Sequence, residues 1–170
     1  MSAPVAEPGG GAGARAARAD DVPILAELVA IAVDEQREGR GGAVWSVREA
    51  RARPADASLQ AALGEPDHLV LAGTYDGSVV GYAVAHHEEL RDGGRLGVIA
   101  DVFVLPGARD VGVGEALVEG VLGWCRATGC RGIDALALPG NRATKNFFET
   151  FGFTARAIIV HRDLTGEAGP

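Results

Sequence analysis

With 170 residues, the chain has the size of one domain and can bury a core of Val, Leu, Ile and Ala, since only 5% of it is aromatic. A composition of 47% apolar and 23% charged residues is typical of a globular protein. The formal net charge of -7 argues against broad binding to nucleic acid, which needs clustered basic residues, and no apolar run approaches the roughly 20 residues of a membrane span.

The two ends of the chain are expected to be flexible around a single domain. Residues 1–14 are small and Gly-rich and lack the apolar core of a signal peptide, so they predict a disordered tail. We expect one domain over 15–165 and a flexible C-terminus over 166–170. These features indicate a cytoplasmic protein in which Cys125 and Cys130 are reduced structural thiols.

The first predicted elements are a short strand and two helices. The strand is expected over 15–19. Apolar residues at helical spacing predict a helix over 22–33 and a second one over 47–63, with a kink or restart at Pro54.

An antiparallel meander is predicted for the middle of the chain. Strands over 68–74 and 78–87 flank Asp76-Gly77, a dipeptide typical of hairpin turns. After a second turn over 91–94, a third strand is expected over 95–104.

The last part of the chain alternates helices with strands. An apolar stripe predicts a helix that begins at Gly114, and a buried strand follows over 132–138. Because a helix connects them, this strand should run parallel to the strand before that helix. A helix over 142–151 and a final strand over 154–161 complete the prediction. The fold class is therefore a mixed α/β (α+β) domain whose central sheet is an antiparallel meander followed by a parallel β-α-β crossover, flanked by about four helices.

The segment before the helix at Gly114 has the features of a phosphate-binding turn. Gly112 and Gly114 allow the backbone to turn tightly and to approach a ligand closely. The helix N-terminus offers unpaired N–H groups and a partial positive charge of roughly half a unit, and Arg109 adds a full charge. The turn is therefore predicted to bind an anion such as a pyrophosphate.

Two common nucleotide-binding motifs do not fit this turn. A dinucleotide-binding fold would need a third glycine where Leu117 stands. No Gly-x-x-x-x-Gly-Lys-[Ser/Thr] sequence of a nucleoside-triphosphate loop occurs. The predicted meander disfavours both, since each needs a mostly parallel sheet.

Two longer motifs are more specific. The pattern Val-x-Pro-x-x-[Arg/Gln]-x-x-Gly-x-[Gly/Ala]-x-x-Leu is met at Val104, Pro106, Arg109, Gly112, Gly114 and Leu117. An Asn followed by a helix that ends aromatic-Glu-x-x-Gly-Phe is met at Asn141, Phe148, Glu149, Gly152 and Phe153. In this order the motifs resemble those of the Gcn5-related N-acetyltransferase (GNAT) family, over about 20–164. The resemblance implies the family's fold, acetyl-CoA as the acyl-donor cosubstrate, no metal, and an amine-bearing acceptor, either a small molecule or a protein, rather than nucleic acid or membrane.

The resemblance also implies a set of cofactor-binding residues. These are Val102, Phe103, Val104, Arg109, Asp110, Val111, Gly112, Val113, Gly114, Glu115, Asn141 and Phe148. The backbone near Val104 would bind the pantetheine arm as an added strand would, and the amides of 110–114 would hold the pyrophosphate. The strand of Asp134 would splay away from that of Val104 and leave a gap for the thioester. A backbone N–H near Val104 would stabilise the oxyanion, and the Asn141 amide would contact the pantetheine.

The acceptor side is predicted from the same resemblance. An alkylamine with a pKa of about 10.4 must lose a proton before it attacks a thioester. Asp101, at a position that is often acidic in the family, is the first candidate for the general base, and Asp134 is the second. Ala100, the neighbouring position, is also often acidic in relatives. Trp45, His86 and His87 are predicted to contact the acceptor.

Phe148 leaves two interpretations of the function open. The family usually has tyrosine there to protonate the departing thiolate, which phenylalanine cannot do. The chain is therefore an N-acetyltransferase that works by direct attack in a ternary complex without this acid, or a catalytically weak acyl-CoA-binding sensor or regulatory module. Dimerisation is common in the family, and the final strand over 154–161 would be able to pair across a homodimer.

Overall fold

The computed structural model describes residues 10–165, which divide into two compact units, 10–140 and 141–165. Residues 1–9 and 166–170, most of the predicted flexible ends, lie outside the described residues. The first strand already begins at Ala12, however, so the folded part starts before the predicted boundary at residue 15.

The described residues form five strands and five α-helices. They are β1 (Ala12–Ala16), α1 (Val22–Arg37), α2 (Gly42–Arg48), α3 (Asp56–Gly64), β2 (His68–Tyr75), β3 (Ser78–Glu89), β4 (Arg95–Val104), α4 (Val113–Ala127), β5 (Gly132–Ala135) and α5 (Arg142–Thr150). All of these except α5 belong to the first unit.

The five strands form one mixed sheet in the order β1-β2-β3-β4-β5. The first four pair antiparallel, and β5 pairs parallel with β4 across the connection made by α4. The β2–β3 turn has positive φ at both Asp76 (47°) and Gly77 (82°), as a two-residue hairpin turn requires. The predicted meander and parallel crossover are confirmed.

Helices cover both faces of this sheet. On one face α1 and α3 bury Leu25, Leu28 and Leu59 against β2, β3 and β4. Helix α4 covers the other face. Leu117 and Val121 of its apolar stripe are fully buried. The sheet therefore has two distinct covered faces, called here the α1/α3 face and the α4 face.

A glycine in β4 allows α4 to approach the sheet closely. A Cβ atom added at Gly97 would lie 2.4 Å from the Cys125 sulfur, too close for any real side chain. Cys125 is buried beneath the helix, and burial raises the pKa of its thiol to about 12. Cys125 and Cys130 are both free thiols, as the sequence predicted.

A partly buried ion pair connects β1 to the start of α1. The Arg15 guanidinium donates to both carboxylate oxygens of Asp21, at 2.7 and 2.8 Å, and the Arg18 backbone N–H donates to the same carboxylate at 2.8 Å. Asp21 is only 9% exposed. The hydrogen bonds from Arg15 hold the pKa of Asp21 below its usual value.

Three predicted elements of the first unit need correction. The first strand spans Ala12–Ala16 and not 15–19, because these residues pair with Leu71–Tyr75 of β2. The single helix predicted over 47–63 is in fact two helices, α2 and α3, which an irregular segment containing Pro54 separates. The last strand of the sheet ends at Ala135 and not at residue 138, because its pairing with β4 stops there.

The second unit consists of α5 and the segment without regular secondary structure that follows it. The side-chain oxygen of Asn141 caps α5 by accepting from the Thr144 N–H at 3.0 Å. The strand predicted over 154–161 is wrong for this structure, since these residues pair with no strand among those described. Ile158 and Val160 are 86% and 91% exposed. A role for this segment in a homodimer stays a prediction.

Candidate active site

Half of β4 has an open backbone edge. Its pairing with β5 covers only Leu96–Ile99 against Gly132–Ala135. Residues 100–104 continue along β3 on one side, but no described strand pairs with them on the other. The N–H and C=O groups on that side, in the stretch that includes Val102, Phe103 and Val104, can therefore bond to an extended ligand as a further strand would. The family resemblance implied a gap between the strands of Val104 and Asp134, and in the structure β5 ends at Ala135, so its pairing does not reach Val104.

A β-bulge marks the start of the open edge. Val84 of β3 is opposite Asp101, whereas the next residue, Ala85, is opposite Ile99, so Ala100 is an extra residue in β4. One added residue moves every following side chain to the opposite face. The bulge therefore places the Asp101 side chain beside Val84 on the α1/α3 face, although Gly97 and Ile99 lie on the α4 face.

The turn that the sequence predicts to bind phosphate lies between the open edge and α4. Asp110 and Gly112 both have positive φ, at 63° and 96°, which turns the chain tightly into the helix. Gly112 is the N-cap residue of α4, and no side chain caps this helix end. The amides of Gly112–Glu115 have no i−4 carbonyl within the helix, so they can donate to an anion. The Val113 side chain is fully buried below them and fixes the turn to the sheet.

Arg109 is positioned differently from the prediction. Its Nε donates to the carbonyl oxygen of Val104 at 2.9 Å, and one terminal nitrogen lies 2.8 and 2.9 Å from the two carboxylate oxygens of Glu35 on α1. The guanidinium also lies 5.4 Å from the centre of the Phe103 ring. In this structure, Arg109 therefore links the turn to α1, and a phosphate would have to compete with Glu35 for its charge.

Asp101 is held by an arginine that the sequence analysis did not identify. Nε of Arg51, in the segment between α2 and α3, donates to Asp101 Oδ2 at 2.7 Å, and a terminal nitrogen lies 2.6 Å from the same oxygen. The two side chains are only 14% and 9% exposed. Burial raises the pKa of Asp101, while the charge and hydrogen bond of Arg51 oppose that rise.

Polar residues extend across the α1/α3 face from this pair. Along one row of the sheet, His68 is opposite His86, His86 is opposite Val98, and Val98 is opposite Asp134. The His68 and His86 rings stack with their centres 5.5 Å apart. The structure therefore brings Asp101, His86 and Asp134 to one face, as an acceptor site would require. His68, which the sequence analysis missed, lies opposite His86 as a result of the hairpin at Asp76-Gly77.

His87 lies on the face opposite to His86, whereas Trp45 packs against the core of the α1/α3 face. His87 points to the opposite face, because side chains alternate along a strand, and its ring stacks on Trp124 of α4 at 3.9 Å. Its Nε2 lies 2.9 Å from the Thr128 hydroxyl, and burial lowers its pKa. Trp45 packs against the core and anchors α2. The His87 side chain therefore does not share a face with His86, and an acceptor contact of Trp45 stays a prediction.

Two predicted cofactor contacts belong to the second unit. Asn141 uses its side-chain oxygen to cap α5, so only its NH₂ group remains for a ligand. Phe148 is 5% exposed, and its ring lies 5.6 Å from that of Phe147 and 5.1 Å from that of Phe153. Phe148 is thus an aromatic core residue of this unit.

Within residues 10–165, no three His, Cys, Asp or Glu side chains are grouped so that they could hold a metal ion. In the same part of the chain, no helix is both long and apolar enough to cross a membrane.

Comparison with known proteins identifies a family and a fold. The model of the "Acetyltransferase (GNAT) family" matches residues 43–153, which is more than half of the chain. A putative acetyltransferase from Agrobacterium tumefaciens is 22% identical, with a TM-score of 0.68 over 89% of this chain and 99% of its own. A tetramutant of the BH1408 protein from Bacillus halodurans is 20% identical, with a TM-score of 0.76 over 89% and 99%. AAC(6')-Iy, solved with the bisubstrate analogue CoA-S-monomethyl-acetylneamine, is 20% identical, with a TM-score of 0.68 over 89% and 97%. No curated protein sequence matches this chain.

Proposed function

The chain belongs to the GNAT acetyltransferase family, and from that premise we propose that it transfers an acetyl group from acetyl-CoA to a primary amine. One observation carries the proposal. The open edge of β4 over 100–104 leads directly, through Pro106–Ala108, into the uncapped N-terminus of α4. An unpaired strand edge followed by a helix N-terminus suits a ligand that has an extended amide-containing arm and a pyrophosphate.

The donor would lie along this path. Its pantetheine arm would bond to the backbone of Val102–Val104, and its pyrophosphate would accept hydrogen bonds from the amides of Asp110–Glu115. The positive φ values of Asp110 and Gly112 support this, since they shape the turn into the helix end. Contacts from Arg109, Asn141 and Phe148 rest on the family resemblance.

The acceptor would approach from the α1/α3 face, where Asp101 lies next to the bulge. A protonated amine gives one proton to a carboxylate, and the neutral nitrogen then attacks the thioester carbonyl. The new C–N bond forms as the C–S bond breaks, and the nitrogen's second proton goes to the departing thiolate. The products are the acetylated amine, free CoA and one proton on the base, which solvent removes. Asp101 is the proposed base and Asp134 the alternative.

Two observations support an amine acceptor. Asp101 and Asp134 lie on the α1/α3 face, and the chain is acidic overall with a net charge of -7. The AAC(6')-Iy structure, similar in fold, holds an analogue that joins CoA to an acetylated neamine. We therefore propose a cationic, amine-bearing acceptor, either a small molecule or a residue of a protein.

Calorimetric titration of acetyl-CoA into the purified protein tests the donor site, with Gly112→Glu as the blocked variant. Micromolar binding that Gly112→Glu abolishes is the expected result. Release of free CoA thiol is then measured with a panel of amines that includes sisomicin, neamine and a lysine-containing peptide. Binding without turnover on the whole panel would favour the sensor interpretation, and no binding by the wild-type protein would refute the donor site.

A further inference from the structure

Each of the three guanidinium nitrogens of Arg51 has a partner in the protein. Nε donates to Asp101 Oδ2, one terminal nitrogen lies 2.6 Å from the same oxygen, and the other donates to the Ser58 hydroxyl at 3.2 Å. Ser58 in turn donates to the carbonyl oxygen of Ala55 at 3.0 Å, in the first turn of α3. Asp101 of β4 and Ser58 of α3 therefore fix the orientation of the Arg51 side chain.

The two oxygens of Asp101 are used unequally. Both contacts from Arg51 are to Oδ2, and no hydrogen bond to Oδ1 is found among residues 10–165. No polar side-chain atom in this part of the chain is both buried and without a hydrogen-bond partner, so Oδ1 keeps contact with solvent. The carboxylate thus has one oxygen fixed in the protein and one that an incoming group can reach.

Besides Arg51, two titratable groups of β3, Tyr82 and His86, interact with Asp101. Tyr82 of β3 is 2% exposed, and burial raises its pKa, so it remains a neutral phenol. Nε2 of His86, on the same face, lies 3.5 Å from a carboxylate oxygen of Glu88. Arg51 is the one side chain found in salt-bridge contact with Asp101 in the described part of the chain.

We propose that Arg51 is a positioning residue that keeps Asp101 ionised through Oδ2 and leaves Oδ1 to receive the ammonium group of the acceptor. The inference rests on the proposed function. It adds the interaction that allows a buried carboxylate to act as a base. Without a cation beside it, a carboxylate this buried would take up a proton from solvent and would no longer accept one from the amine. The class of acceptor that fits is a protonated alkylamine.

The first test is the pH dependence of kcat/KM for the most active amine of the panel, compared between the wild-type protein and Arg51→Met. Because Arg51 lowers the pKa of Asp101, its removal should move the rising acidic limb to higher pH by at least one unit. The calorimetric Kd for acetyl-CoA should stay within threefold. Arg51→Lys keeps a cation beside the carboxylate, so the acidic limb of its pH profile should lie close to that of the wild-type protein. An unmoved limb in Arg51→Met would overturn the proposal.

A double variant separates positioning from a merely structural role. If Arg51 acts only through Asp101, turnover of Arg51→Met/Asp101→Asn should equal that of Asp101→Asn alone. The double variant leaves no unpaired buried charge, so it is also the folding control for Arg51→Met. A further large loss of turnover in the double variant would mean that Arg51 acts independently of Asp101, and the inference would fail.

A measurement without turnover distinguishes this inference from the proposed function. The Asp101 carboxyl carbon is titrated by ¹³C NMR, with its signal assigned from its absence in Asp101→Asn. The inference requires a higher Asp101 pKa in Arg51→Met than in the wild-type protein, and an equal pKa refutes it. If the pKa rises as expected but no amine is acetylated, the proposed transferase function fails and only the ionisation of Asp101 by Arg51 is supported.

Discussion

Two glycines at opposite ends of α4 offer a matched test of the donor site. Gly112 precedes the helix with φ of +96°, and Gly129 follows it with φ of +76°. A Cβ atom added at Gly112 would lie 3.4 Å from that of Ala12, and one at Gly129 would meet no atom within 4 Å. Space is therefore sufficient at both positions, and the left-handed backbone is the main cost. Each substitution by alanine should lower the free energy of unfolding by about 1–2 kcal/mol.

Only the change at Gly112 should affect binding of acetyl-CoA. Relief of the strain would rotate the amides of the turn, and one lost hydrogen bond to a charged group is worth about 1.5–3 kcal/mol, or roughly 10- to 150-fold in Kd. Urea denaturation measures the stability of Gly112→Ala and Gly129→Ala, and calorimetry measures the Kd. Equal Kd values for two equally destabilised variants would refute the assignment of the pyrophosphate to this turn.

Three further substitutions test other parts of the molecule. Phe148→Tyr should raise kcat by about tenfold or more if a missing general acid limits turnover, and an unchanged kcat would reject that explanation. Glu35→Gln should tighten acetyl-CoA binding by roughly 2- to 5-fold at low salt, because Arg109 no longer has to leave an exposed ion pair; a calorimetric Kd equal to the wild-type value would contradict this. Asp21→Asn should cost about 1.5–3 kcal/mol at pH 7, because the hydrogen bonds from Arg15 hold the pKa of Asp21 down. That stabilisation exists above the unfolded-state pKa of about 3.9 and is lost as the pH falls through the lower folded-state pKa, so urea denaturation should show the two proteins converging in acid.

The elements that the sequence predicted well are those with a local signal. The Asp76-Gly77 hairpin, the strand at 95–104 and the apolar stripe of α4 each depend on residues within one short window. The start of β1 has no such signal, since Ala12–Ala16 is small and weakly apolar and becomes a strand only through pairing with β2. The final apolar run over 154–161 shows the reverse case, in which high strand propensity meets no partner strand among the described residues.

The same distinction applies to the site. The turn at Gly112 was predictable, because the glycines and the helix start are adjacent in the sequence. The partner of Asp101 was not, because Arg51 lies 50 residues earlier in an irregular segment with no pattern of its own. His87 was assigned to the acceptor side together with His86, although neighbouring residues in a strand point to opposite faces, and this error was avoidable from the strand prediction alone.

The bulge at Ala100 changes how the acidic residues of β4 should be understood. The family resemblance identified Ala100, the neighbour of Asp101, as a second position that is often acidic. In the structure Ala100 is the extra residue of the bulge and is exposed, and it is the added residue that turns Asp101 onto the face of α1 and α3. The same position ends the pairing with β5, since Ile99 is the last residue of that ladder. One inserted residue thus places the buried carboxylate directly beside the first open backbone groups of the strand. Under the proposed function, the bulge thus explains why the proposed base and the proposed donor-binding edge are adjacent in β4.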